Sequence, residues 1–162
     1  MEIGKLCGHD IVLDTNVLSH AENSTFEHHD SAKCILEWMR GSSTLWVVDN
    51  TGKSKPDPKT SLLFAEYRAT LQPMGAPLQL FTMCLLTGRV VFAERPNQAN
   101  RSRIRKLIPR NNKDQAVLGA ALDAEDQVLV SNDLDDFSPN VRDTIRKVLG
   151  VNVVHTQECS TE

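Results

Sequence analysis

Aromatic side chains are scarce in this chain, at 5% of its 162 residues, so extensive base stacking on a bound nucleic acid is not expected. Positive charge is not in excess either. Eighteen Lys and Arg stand against twenty-one Asp and Glu, a formal net charge of -3. A chain of that balance is no blanket nucleic-acid binder, and any such contact must come from a local basic patch. No apolar run is long enough to cross a bilayer. The longest candidate, Leu78 to Leu86, is broken by Gln79 and Thr82. The opening Met1-Glu2-Ile3-Gly4-Lys5 lacks the apolar stretch of a signal peptide. No membrane association and a cytoplasmic location are therefore expected. The four cysteines, Cys7, Cys34, Cys84 and Cys159, form no CxxC pair. Free thiols in a reducing compartment fit better than a disulfide framework. His28-His29-Asp30 with Cys34 lacks the second ligand pair of a structural zinc site. A GxSxG elbow, a Walker loop and a GxGxxG turn are all missing, which removes three familiar chemistries.

What is present is an ordinary globular composition, 40% hydrophobic and 24% charged. The length suits one domain over residues 1–162, with its core over about 10–155. No internal repeat or low-complexity stretch occurs. The linker-like Thr51-Gly52-Lys53-Ser54-Lys55-Pro56-Asp57-Pro58-Lys59 reads as an exposed loop, too short to divide the chain.

The hydrophobic period alternates between strand and helix. Ile11-Val12-Leu13, Leu45 to Val48, Val90 to Phe92 and Val128 to Val130 are short apolar runs of the kind covered on both faces. Val151 to Val154 predicts a last strand. Helical spacing predicts helices over 31–40, 61–71, 78–86, 101–108, 114–124 and 141–149, with Gly88 and Gly150 as stops. In the helix over 61–71, Leu62, Leu63, Tyr67 and Leu71 are expected along the apolar side. Such alternation argues for an α/β fold with a mostly parallel sheet of about five strands and helices on both faces.

A doubly wound sheet binds ligands beyond the carboxyl ends of its strands. Asp14 follows Ile11-Val12-Leu13, and Asp133 follows Val128 to Asn132, so both project from one sheet edge. Glu66 lies three residues after Leu63 and four after Leu62, on a core-facing stripe where an unpaired charge is costly. Asp114 bears the same relation to Val117 and Leu118 and opens its helix, where the macrodipole favours an anion. Taken singly, each acid has a plainer role. Asp14 and Asp133 suit turns, Asp114 a helix start, and Glu66 a pair with Arg68. Taken together they form a carboxylate cluster that needs a cation, and oxygen-only ligation favours Mg²⁺ or Mn²⁺. One or two such ions activate water and stabilise charge on a phosphodiester.

These motifs resemble the PIN-domain family, of the VapC-toxin-like ribonuclease kind. Ile11 to Leu18, an apolar strand running into Asp14-Thr15-Asn16, resembles its first motif. Lys113 to Ala121 resembles the third, an acid opening a small-residue helix. Val128 to Phe137 resembles the fourth, a strand ending in Ser131, then Asp133, then a nearby Phe. The ordered set runs from about Ile11 to Val154. The resemblance implies a PIN-like three-layer sandwich and metal-dependent hydrolysis of single-stranded RNA, with Asp14, Asp114 and Asp133 as metal ligands. Thr15, Asn16 and Ser131 would be polar helpers, and Asp136 would support Asp133 through a water. The family's second acid is Glu66 or Asp49. Glu66 falls later in the chain than that family's pattern places it, and Asp49 ends the second strand; the apolar stripe favours Glu66.

Ahead of Asp114 lie Arg101, Arg103, Arg105, Lys106, Arg110 and Lys113, a stretch without an acid. It suits a phosphate backbone of single-stranded or structured RNA, as a solvated helix face would also look. Lys53, Lys55 and Lys59 add to it. The resemblance further implies a toxin with an antitoxin partner, and a homodimer, for which residues 78–86 offer apolar surface. The competing readings are a non-catalytic PIN-like binding module for RNA or protein and a phosphohydrolase of small phosphoesters. Asp14-Thr15-Asn16 lacks the second acid that a haloacid-dehalogenase-like nucleophile motif would show.

Overall fold

A computed structural model describes residues 1–50, 57 and 59–161. Lys53 and Lys55 of the basic loop lie outside the described residues. The elements run α1 (Ile3–Leu6), β1 (Asp10–Leu13), α2 (Thr15–Glu22), α3 (His29–Gly41), β2 (Leu45–Val48), α4 (Leu62–Thr70), α5 (Ala76–Leu86), β3 (Val90–Phe92), α6 (Gln98–Leu107), α7 (Asn112–Asp123), β4 (Val128–Val130), α8 (Pro139–Leu149) and β5 (Asn152–Val154). A single 3-10 turn, Thr156–Glu158, follows.

Every strand pairing among the described residues is parallel, in the order β3-β2-β1-β4-β5. The all-apolar middles of β1, β2 and β4 are buried throughout, as a sheet covered on both faces requires. Helices α2 to α5 pack on one another, as do α6 to α8, with α7 lying against β1, β2 and β4. The result is the expected three-layer α/β sandwich.

The chain runs outward from β1 through β2 to β3, then returns to lay β4 on the other side of β1. Strand order therefore reverses between β1 and β4, where Leu13 sits beside Val130. A crevice beyond the strand ends belongs at such a reversal.

Two local devices bring α7 and α8 into place. Gly119 lets α7 approach the Pro96 segment, since a Cβ there would stand 3.0 Å from the proline Cγ. Gly150 closes α8 in the left-handed conformation, at φ 77°, so β5 can begin two residues later.

The structure differs from the expected pattern in particulars. Helix α2 begins directly after Asp14, driven by burial of Val17, Leu18 and Ala21. Leu62, expected on the apolar side of α4, is 45% exposed, while Leu63, Tyr67 and Leu71 are buried. Ile3 and Cys7 are fully buried, and Ile3 N–H donates to Ser160 O at 2.8 Å, tying the two ends of the chain together. The four cysteines are free thiols. No described helix is long and apolar enough to cross a membrane.

Candidate metal centre

Asp14 directly follows β1 and is the N-cap of α2, yet its carboxylate makes no capping bond. One oxygen, Oδ2, accepts from Ser131 Oγ at 2.7 Å and from Asn16 Nδ2 at 2.8 Å. The β1–β4 pairing makes this junction, since Asp14 N–H donates to Val130 O at 3.0 Å. Ser131 then links onward, accepting Asp133 N–H at 3.1 Å. Asn16 and Ser131 thus hold Asp14 and brace the β4 edge. Thr15 is buried, and its hydroxyl has no hydrogen-bond partner among the described residues.

Asp114 sits in the first turn of α7, whose start is capped by Asn111 Oδ1 accepting Asp114 N–H at 3.1 Å. Its carboxyl is fully buried, and neither oxygen has a hydrogen bond among the described residues. Burial, with the neighbouring Asp136 carboxyl, pushes its pKa up from 3.8 to about 7, against the pull of Lys113. Ligand atoms of Asp114, Asp133 and Asp136 lie within 4.8 Å of one another. Asp133 is aimed by its own turn, with Oδ1 accepting Asp135 N–H at 2.9 Å and Asp136 N–H at 3.1 Å. Asn111 Nδ2 donates to Asp136 Oδ2 at 3.0 Å. Phe137, fully buried, anchors the end of that turn in the core.

The other half of the cluster surrounds an ammonium. Lys113 Nζ lies 3.0 Å from Asp14 Oδ1, 3.1 Å from Asp114 Oδ1 and 3.5 Å from Glu66 Oε1. Burial draws the Lys113 pKa down, but Asp14, Asp114 and Glu66 outweigh it and hold the group charged well above its ordinary value. Glu66 therefore faces Lys113 from α4, not the neighbouring Arg68. Asp49 is committed elsewhere, as Oδ1 accepts from Ser61 Oγ and Leu63 N–H, both at 2.8 Å, and Oδ2 from Leu62 N–H at 2.9 Å. It starts α4.

Beneath the cluster, Tyr67 donates to Leu13 O and accepts from Trp46 Nε1 at 3.2 Å. Complete burial drives its phenol pKa far up, so it stays a neutral strut behind Asp14. Of the basic residues, Arg103, Arg105, Lys106 and Arg110 are exposed, while Arg101 donates to Pro96 O at 2.6 Å. A cleft of about 500 Å³ opens beside α7, lined by Arg95, Arg101, Arg105, Asn112 and Gln115 among others.

The structure thus gathers Asp14, Glu66, Asp114, Asp133 and Asp136 at one sheet edge, and brings Lys113 into their midst rather than leaving it with the exposed arginines. Three contributors had no role in the sequence reading: Asn111 and His20 lie outside the motifs, and Asn132 lies inside the fourth. Asn111 caps α7 and holds Asp136. Asn132 donates its N–H to Asn16 Oδ1 at 2.9 Å and pairs with His20 Nδ1 at 3.0 Å. His20 has its pKa lowered by burial and by His28. A helix-capping Asn three residues before Asp114 was the one sequence signal for any of them.

The donor set fits a hard divalent cation. It is all oxygen, it converges, and it includes a buried carboxyl left without a hydrogen bond.

No family model matches the chain, and no curated protein matches it. Among solved structures, the chain is similar to one in the crystal structure of VapBC2 from Rickettsia felis bound to a DNA fragment from their promoter. The likeness covers 90% of this chain and 98% of that one, at 15% identity and a TM-score of 0.47. At that score it carries nothing about the site, which stands on its own residues.

Proposed function

We infer that the chain is a metal-dependent nuclease that hydrolyses RNA phosphodiester bonds at the Asp114–Asp133–Asp136 edge. The observation that carries the reading is the fully buried Asp114 carboxyl, which converges with Asp133 and Asp136 and has Lys113 as its one cationic neighbour among the described residues. Lys113 offsets one negative charge at most, and several buried or half-buried carboxylates in one cluster remain costly without a further cation. Bound Mg²⁺ or Mn²⁺ supplies an activated water and charge stabilisation at the phosphodiester.

The protein's own groups have separable tasks in this reading. Asp114, Asp133 and Asp136 hold the ion. Ser131 and Asn16 fix the orientation of Asp14, and Tyr67 fixes the backbone that carries it. Glu66 completes the acidic wall from α4. Arg101 and Arg105, beside the cleft, steer a phosphate backbone toward the edge, with Arg103, Lys106 and Arg110 on the same basic helix and its exit. The motif resemblance adds single-stranded or structured RNA as substrate, an antitoxin protein as partner and a homodimer as the assembly. It also adds a single PIN-like domain over 1–162, and the free cysteines suit a cytoplasmic setting.

A second reading, a non-catalytic module binding RNA or protein, is favoured by one observation. Lys113 already neutralises part of the acidic wall. Cleavage of a mixed-sequence single-stranded RNA separates the two. The nuclease reading expects cleavage with Mg²⁺ or Mn²⁺, none in EDTA, and a loss of at least a hundredfold in Asp14→Asn and Asp114→Asn. Tight RNA binding without cleavage in either metal would transfer the assignment to the binding module.

A further inference from the structure

The acidic cluster is divided in two, and one half already holds a cation. Asp14, Glu66 and Asp114 surround Lys113 Nζ at 3.0, 3.5 and 3.1 Å. Asp114, Asp133 and Asp136 form a second group, with ligand atoms within 4.8 Å of one another. Asp114 is the carboxylate common to both halves. That is the layout of a two-cation site, in which neighbouring ions sit about 3.5–4 Å apart and share an acid. We propose that Lys113 is a built-in cation filling the second of these positions, so that the centre takes up one divalent ion only. The proposal rests on the metal-dependent reading above.

Three features keep the ammonium where it is. Asp14 is fully buried, and its Oδ2 is taken by Ser131 and Asn16, so only Oδ1 remains and Lys113 holds it. Withdrawing the ammonium would leave a buried carboxylate without its counter-charge, a costly state. The ammonium donates to Asp14 Oδ1 and keeps ion pairs with Asp114 and Glu66. Lys113 also directly precedes Asp114 in the first turn of α7, so its stem is tethered beside the shared acid and is only 25% exposed. A second divalent ion would have to expel it. Ringed by protein carboxylates, Lys113 acts through charge and by holding Asp14 and Glu66, as a positioning residue.

The test is Mn²⁺ binding by the full chain, counted by equilibrium dialysis and followed by electron paramagnetic resonance. Wild type is expected to bind one Mn²⁺, and Lys113→Arg also one. Lys113→Met frees three oxygen ligands and is expected to bind two, with the spectral broadening of a coupled pair. Two ions in wild type, or a single ion in folded Lys113→Met, would overturn the proposal and leave the nuclease reading intact. No Mn²⁺ bound by wild type would instead overturn the metal reading itself, and this proposal with it. If Lys113→Met does not fold by circular dichroism, the counts for wild type and Lys113→Arg decide, since two ions in either one overturn it.

Discussion

Asp114 shows how much one buried carboxyl can couple binding to stability. Its pKa is raised to about 7 in the folded protein, by burial first and by Asp136 next. A carboxyl raised on folding holds its proton better in the folded state. Its favourable contribution is therefore complete below the ordinary carboxylate range near 4 and is lost as pH rises through about 7. Metal-free protein should accordingly lose stability across that window. In EDTA, Asp114→Asn is expected to melt above wild type at pH 8, with the gap closing as the pH falls to 5. A gap that is the same at both values would remove Asp114 as its source. Lys113 does not interfere, because its raised pKa keeps it charged through this whole range.

At the scale of elements, the start of α4 decides which acid belongs to the centre. Asp49 spends both carboxylate oxygens on Ser61 and on the first N–H groups of that helix. An anion there satisfies donors that the helix cannot satisfy itself and complements its dipole. Asp49→Ala is expected to cost about 1–2 kcal/mol, read as a lower urea midpoint, with no change in the Mn²⁺ count. Loss of metal from a folded Asp49→Ala protein would put Asp49 in the centre in place of Glu66. Much of this level is readable from the chain. The short apolar runs of β1, β2, β3 and β4 mark their strands to within a residue. Gly88 and Gly150, both at positive φ, end α5 and α8 as expected. Helix α2 is harder to read, because it begins at once after Asp14 and has only eight residues in which to display a period. The exposure of Leu62 escapes for a related reason. It is the first residue of α4, at the rim where the apolar stripe has not yet turned inward.

The whole molecule gains stability if it binds an ion only when folded, because the ligands come from α7 and from the turn after β4. A ligand at a hundredfold excess over its Kd adds about 2.7 kcal/mol, or about 5–10 °C in Tm for a chain of this size. Wild-type protein with saturating Mn²⁺ should show that shift by calorimetry, and Asp114→Asn should show little of it. An equal shift in both would mean that the ion binds elsewhere. The sheet also leaves apolar side chains at one flank, where Met83 and Leu86 of α5 and Val91 of the edge strand β3 are exposed.

The amino-acid order by itself determined what is local. It settled which runs are strands, where the helices stop, and which acids stand at strand ends and helix starts, because apolar period, glycine placement and capping act over a few residues. It also brought out the basic stretch ahead of Asp114. Only the tertiary structure decided which side chains meet. The parallel register of β1 and β4 joins Asp14 to Ser131 across 117 positions, and Lys113 reaches Asp14 across 99. No local pattern encodes those distances. They follow from how α7 packs against the sheet, and that packing turns a lysine that reads as one of a basic run into the counter-charge of a buried acid.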